Sequence, residues 1–374
     1  MCVQSKEVPP PSPYSFSYPQ EQLRAKDHFS SLLFSGEWSL TFLELASLVG
    51  VTAAACLLAP EKVNVPGSMT SKEVSAMMWT QSVVTRVYNS YLEAVFFSCP
   101  QYRTQPSREH ALVAKKNLCG QRLEELETLV WHDRITLISQ FMLNLGLYYA
   151  VPGYYPAAGP VAPLHERALR VLANHYVLSF GMYWMHRALH VVPWLWDNIH
   201  SYHHWARHPL SRNTYQDHWM DNFANAFVGH FFAQVLVPLD RGCFWFSHIF
   251  RIFESLEKHS GVSCYFNIAH SLQRWLPYAQ MPHHHDWHHE GHKGCNYTFS
   301  ALGGLWDCIF GTRKSGRAAE LPAEHTTRYD KAHGMKAGRS KTILDHPLVV
   351  VTPVVGVASL VVLKLGSTQP WKRY

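Results

Sequence analysis

No Cys-x-x-Cys pair occurs in this chain of 374 residues; its eight cysteines lie far apart. They read as reduced, mostly buried small hydrophobes in a protein whose soluble face is cytosolic. Dense blocks of Lys and Arg are also missing, although the formal net charge is +6. Without a clustered basic stripe there is no footprint for nucleic acid, and scattered positive charge suits loops beside an anionic lipid surface. The stretch from Met1 to Tyr18 has no apolar run of the kind a cleavable signal peptide carries, so membrane insertion is expected to use internal anchors. No internal repeat is found. A mean hydropathy of −0.14 argues against a bundle immersed in lipid throughout and fits a few spans under a large polar cap.

Residues 1–36 are expected to be a disordered arm, broken by Pro9, Pro10, Pro11, Pro13 and Pro19. A membrane anchor and polar connector would follow over 37–129, with the apolar stretch Ser39–Ala59 near the ~20 residues that cross a bilayer core. The catalytic part is placed at 130–313 and a tail at 314–374, with a further apolar run at 347–363 as an anchor or buried element. Within 130–313, Ile135–Val151, Ala168–Met185 and Asn222–Leu239 are apolar, each short or marred by a polar residue such as Asn144, His175 or His230. Cys243–Phe253 is too short to span and suits an interfacial helix. Polar residues inside such helices face the bundle interior. The fold class is therefore all-α: a membrane-embedded helical bundle with a His-rich cytosolic cap holding a dinuclear metal site.

What is abundant is histidine, with 25 in the chain. Three clusters stand out: His186 and His190; then His200, His203 and His204; then His285, His288 and His289. Residues three and four apart share a helix face, so His-x-x-x-His and His-x-x-His-His aim imidazoles at one point. By simple counting, one such triplet arises by chance in about one chain in ten of this histidine content; two triplets beside a pair fall well under about one in a hundred. Eight imidazoles exceed the four ligands of a tetrahedral zinc and suit two metals. Imidazole alone does not select iron over zinc, copper or nickel. His218 and His259 are single histidines between the second and third clusters; taken alone each reads as a structural or surface histidine, and placement beside the site helices would make either a ninth or tenth ligand. His283 and His284 are left outside the ligand set. Asp197, Asp217, Asp286 and Glu290 are candidate acceptors for the free imidazole N–H groups. No Glu-x-x-His pattern recurs, which speaks against carboxylates as primary ligands.

At these residues the chain resembles the fatty acid hydroxylase/sterol desaturase superfamily, whose signature is His-x-x-x-His followed by two His-x-x-His-His boxes. The likeness continues through Tyr183-Trp184, His259-Ser260-Gly261, Asn296-Tyr297, Trp306-Asp307 and Phe310-Gly311-Thr312. Phe250–Gly261 and Gln216–Asp221 are most similar to sterol C4-methyl oxidases, while Asn296–Phe299 and Trp306–Thr312 look equally like sphingoid-base C4-hydroxylases. Ser179 stands where many relatives place an Asp, and Ala206–Leu210 departs from the usual turn after the second box.

The resemblance implies a multi-pass enzyme of the endoplasmic reticulum membrane with its site facing the cytosol. Its metals would be two Fe ions, ligated by the clustered histidines with His259 and His218. It would use O2, with electrons from NAD(P)H delivered by cytochrome b5 or a reductase. The implied reaction is stepwise oxidation of a sterol C4-methyl group. The alternatives are a sphingoid-base C4-hydroxylase or another lipid hydroxylase or desaturase of the superfamily, and, from a different class, a zinc-binding membrane protein without redox activity.

Overall fold

The computed structural model describes residues 69–99, 102–104, 154–156, 161–201, 203–205, 209–215, 217–264, 266–273, 278–291, 295–298, 304–314 and 343–366, with 49, 50 and 53. The expected arm, most of Ser39–Ala59 and all of Ile135–Val151 lie outside the described residues. Among those described the protein is helical. One isolated antiparallel bridge, Arg103 with Val262, is the nearest approach to a strand.

Helix α1 (Ser71–Ser98) starts at a capping box: the Thr70 hydroxyl accepts from the Glu73 amide at 3.2 Å, and the Glu73 carboxylate accepts from the Thr70 amide at 2.7 Å. The long α2 (Leu164–Val191) carries the first histidine pair near its C-terminal end. A single turn, α3 (Pro193–Leu195), runs into a π-helical turn over Trp196–His200, and 3-10 turns follow at His203–Trp205 and Ser211–Tyr215. Then come α4 (Trp219–Ala226), a second π-turn (Phe227–Phe231) and α5 (Phe232–Leu236). Helix α6 (Arg241–His259) is capped by Asp240, whose carboxylate accepts from the Cys243 amide at 3.0 Å. Short helices α7 (Ile268–Gln273), α8 (Pro282–Gly291) and α9 (Gly304–Ile309) precede a 3-10 turn at Ile343–Asp345 and α10 (Pro347–Gly366).

Two packings hold the site. Tyr88 and Leu92 of α1 bury against Ile252 and Leu256 of α6, and the Arg241–Glu73 ion pair at 2.6 Å ties the same helices at the other end. Tyr183, Trp184 and Ala188 of α2 pack with Tyr297 and with Val350 of α10. Buried Arg187 fastens this second packing, donating to the Tyr183 hydroxyl at 2.8 Å and to Asp345 at 2.5 Å. Against α2, the second π-turn approaches so closely that a Cβ on Gly181 would lie 1.6 Å from the Val228 carbonyl oxygen. Glycine is required there by contact, not by torsion.

The apolar segments read from the sequence fare differently. Ala168–Met185 falls inside α2 and Cys243–Phe253 inside α6, while Asn222–Leu239 is divided among α4, the π-turn and α5. Pro347–Leu363 is helical within α10, with Leu348, Val355, Leu360, Val362 and Leu363 exposed. Among the described residues, no helix is long and apolar enough to cross a membrane.

Candidate metal centre

Nine of the ten histidines singled out in the sequence converge. His186 and His190 come from α2, His200 from the end of the first π-turn, and His203 and His204 from the 3-10 turn after it. His259 is the last residue of α6, and His285, His288 and His289 lie on α8. None is more than 5 % exposed. They fall into two groups, His186/His190/His200/His204/His288 and His203/His259/His285/His289, each with its ligand atoms within 4.8 Å of one another.

The partition differs from the expectation that each triplet aims at one point. His200 and His204 serve the first group while His203 serves the second; His285 and His289 serve the second while His288 serves the first. On α8 the reason is helical phase. Residues four apart are separated by about 40° around the axis, whereas residues 288 and 289 diverge by about 100°. The second and third boxes therefore contribute to both groups, the first box serves only the five-histidine group, and the groups share a wall.

In both groups the Nε2 atoms face one another. His186 to His200 is 3.1 Å, His190 to His288 3.2 Å, and His204 to His200 3.2 Å. In the second group His285 to His259 is 2.9 Å, His289 to His285 3.2 Å and His259 to His203 3.3 Å. For His186, His288, His259 and His200 the opposite ring nitrogen fixes the tautomer. His186 Nδ1 donates to the Tyr297 carbonyl at 2.6 Å, His288 Nδ1 to the Cys295 carbonyl at 2.7 Å and His259 Nδ1 to the Ser255 carbonyl at 2.8 Å. His200 Nδ1 donates to Asp221 at 2.5 Å. A carbonyl or carboxylate oxygen only accepts, so Nδ1 carries the proton and Nε2 presents a lone pair.

Burial holds the pKa values of His186, His204, His259, His285, His288 and His289 well below the usual imidazole range, and neighbouring imidazoles push them further down. Neutral lone pairs packed about 3 Å apart repel, and a cation between them turns that repulsion into ligation. The donor set thus fits two metal ions, one among five imidazoles and one among four.

His218 stands apart from both groups. Its Nδ1 accepts from the Met220 amide at 3.2 Å and caps α4. Of the acids named from sequence, Asp217 accepts from Asn222 at 2.5 Å, Asp286 from the Thr104 hydroxyl, and Asp197 is exposed. The side chain of Glu290 lies outside the described residues. Sequence reasoning missed Asp221, which is buried, accepts from Asn225 at 2.6 Å and lies 21 residues from the histidine it holds. Ser179 turns back on its own helix, donating to the His175 carbonyl at 2.7 Å.

This arrangement defines a helical protein with two adjacent imidazole-lined sites. The model of the fatty acid hydroxylase family matches residues 171–312, a stretch that contains all nine converging histidines. Methylsterol monooxygenase 2-2 of Arabidopsis thaliana is 29 % identical over 200 residues, covering 50 % of this chain and 71 % of that protein. Very-long-chain aldehyde decarbonylase GL1-10 of Oryza sativa subsp. japonica is 28 % identical over 178 residues, 46 % of this chain and 57 % of the relative. A putative methylsterol monooxygenase of Dictyostelium discoideum is 33 % identical over 175 residues, 45 % of this chain and 61 % of the relative. The chain thus spans little more than half the length of several relatives. No solved structure matches it.

Proposed function

We propose that this protein is an iron-dependent oxygenase that oxidises a lipid, most specifically the C4-methyl group of a sterol in successive steps. The observation that carries the reading is the pair of buried imidazole groups within the stretch that matches the fatty acid hydroxylase family. The methylsterol monooxygenases among its relatives support the sterol substrate. His186, His190, His200, His204 and His288 would hold one iron, and His203, His259, His285 and His289 the other. Two irons so held would supply reduction of O2 by two external electrons and two protons, one oxygen atom entering an alkyl C–H bond and the other leaving as water.

The protein's own residues prepare that chemistry. Their burial excludes water, and the Nδ1 protons held by Tyr297, Cys295, Ser255 and Asp221 keep each Nε2 aimed inward. The exposed apolar side chains of α10 support contact with lipid, and an endoplasmic reticulum location with cytochrome b5 or a reductase as electron donor belongs to the same proposal.

A long-chain aldehyde is the second reading, favoured by the decarbonylases among the relatives. Lipid analysis separates the two. The full chain, purified with iron and supplied with electrons and O2, should convert a 4-methylsterol to hydroxylated and carboxylated products. Turnover of a long-chain aldehyde instead would replace the sterol reading, and a protein that binds zinc but no iron would end both.

A further inference from the structure

The first iron-binding group leans on one short loop. Residues 295–298 are almost fully buried, and two of their carbonyl oxygens, those of Cys295 and Tyr297, receive the Nδ1 protons of His288 and His186. Between these two carbonyls sits Asn296 with φ of 51°, the one non-glycine residue in the left-handed region among those described. Left-handed backbone is disfavoured for most L-residues and is tolerated by Asn and Gly. The turn at Asn296 sets the relative direction of the peptide planes on either side of it, and so decides whether both carbonyls meet their histidines.

Asn296 itself and one further residue, Asp307, lock this conformation. The Asn296 side chain donates to the carbonyls of His284 (2.8 Å) and Lys314 (2.7 Å) and accepts from the Lys314 amide (2.8 Å). Its backbone amide donates to the Thr312 carbonyl at 2.9 Å. Asp307, fully buried on α9, gathers the other side of the loop. Its carboxylate accepts from the amides of Tyr297 (2.9 Å) and Thr298 (3.1 Å) and from the hydroxyls of Thr298 (2.5 Å) and Thr312 (2.7 Å). It also accepts from the Gln280 side chain at 2.9 Å. A carboxylate gripped by this many donors is held in place. The Asn296-Tyr297 and Trp306-Asp307 pairs of the sequence thus meet in one structure.

We infer that Asn296 and Asp307 are positioning residues for the five-histidine site, fixing through the Cys295 and Tyr297 carbonyls the tautomer and aim of His288 and His186. Both histidines the loop holds belong to that group, and the four-histidine site has its own anchor in the Ser255 carbonyl. Distorting the loop therefore weakens one ion and leaves the other. This rests on the two-metal reading and adds to it a division of labour between the sites.

The test compares Asn296→Gly, which accepts a positive φ, with Asn296→Val, which resists it. The full chain is loaded with Fe(II) or Co(II), ions per chain are counted, and each is withdrawn by a competing chelator while the helical circular-dichroism signal is followed. Wild type should hold two ions. In Asn296→Val the affinity of one ion should fall by about 10–100-fold, the usual effect of losing a partner that orients a ligand. The other ion should stay until His285→Ala is added, and Asn296→Gly should follow wild type. Should Asn296→Val fail to fold, Asp307→Asn is read in the same way. Two ions held as in wild type by Asn296→Val, or both weakened alike, would overturn the inference. A wild-type chain that holds fewer than two ions would overturn the two-metal reading itself, and the inference with it.

Discussion

His204 and His289 stack with ring centroids 4.5 Å apart and 28° between their planes, yet their nitrogens belong to different metal-binding groups. The shared wall between the two sites is made of these rings. Neighbours in sequence join different groups, and residues distant in sequence join the same one.

That division gives a sharp expectation for substitutions in the third box. His288→Ala should remove tight binding of the ion in the five-histidine group, and His289→Ala that of the ion in the four-histidine group. Each single variant should retain about one ion per chain. The pair His288→Ala/His289→Ala should retain none, while His285→Ala/His289→Ala, both in one group, should still hold one. Elemental analysis of the purified variants decides it. Equal loss from all of them would mean that the two groups do not act as separate sites.

Asp221 is a buried carboxylate that meets an imidazole of the site, at His200. Replacing it with Asn withdraws a charged acceptor from Nδ1–H and frees the ring to adopt the other tautomer. The ion in the five-histidine group should then bind about 10–100-fold more weakly. Competition with a chromogenic chelator measures this, and the four-histidine ion serves as the internal control. Asp197→Asn, at an exposed position, should leave both affinities unchanged.

His218→Ala should likewise leave two ions in place, because His218 caps α4 and lies outside both groups. Its loss should lower stability by about 0.5–1 kcal/mol, the lower range for removal of a helix N-cap. Ion content together with the denaturant midpoint tells the two roles apart, and a drop to one ion per chain would make it a ligand.

How much of this was legible beforehand follows from what sequence encodes. Ligation demands a particular side chain, so the clusters His186–His190, His200–His204 and His285–His289 stand out by residue type and spacing. The pairing of His288 with α2 and of His203 with α6 depends on helical phase and on the π and 3-10 turns at 196–205, which spacing does not reveal. The acceptors were the least legible. Every residue has a carbonyl, so nothing marks those of Cys295, Tyr297 and Ser255, and Asp221 reaches His200 only through the packing of α4. The apolar runs gave helices in four places, but an apolar run states only that a surface is covered. Asn222–Leu239 reads as one segment and forms three, because its glycine contact with α2 accompanies a π-turn.

That glycine contact carries the last prediction. Gly181 of α2 lies against the Val228 carbonyl of the π-turn, and an added Cβ would sit 1.6 Å from that oxygen. Backbone cannot be displaced as a flexible side chain can, so Gly181→Ala must push α2 and the π-turn apart. Overpacking of this kind costs about 1–3 kcal/mol, seen as a lower denaturant midpoint in the metal-free protein. The shift should also reach the site, since His186 follows five residues later on α2 and Asp221 sits on α4, the helix leading into the same π-turn. Moving the two helices apart separates His186 from the His200–Asp221 pair, so the five-histidine ion should be released faster than in wild type while the four-histidine ion is held. A Gly181→Ala protein with unchanged stability and unchanged release would show that the two helices do not make this contact.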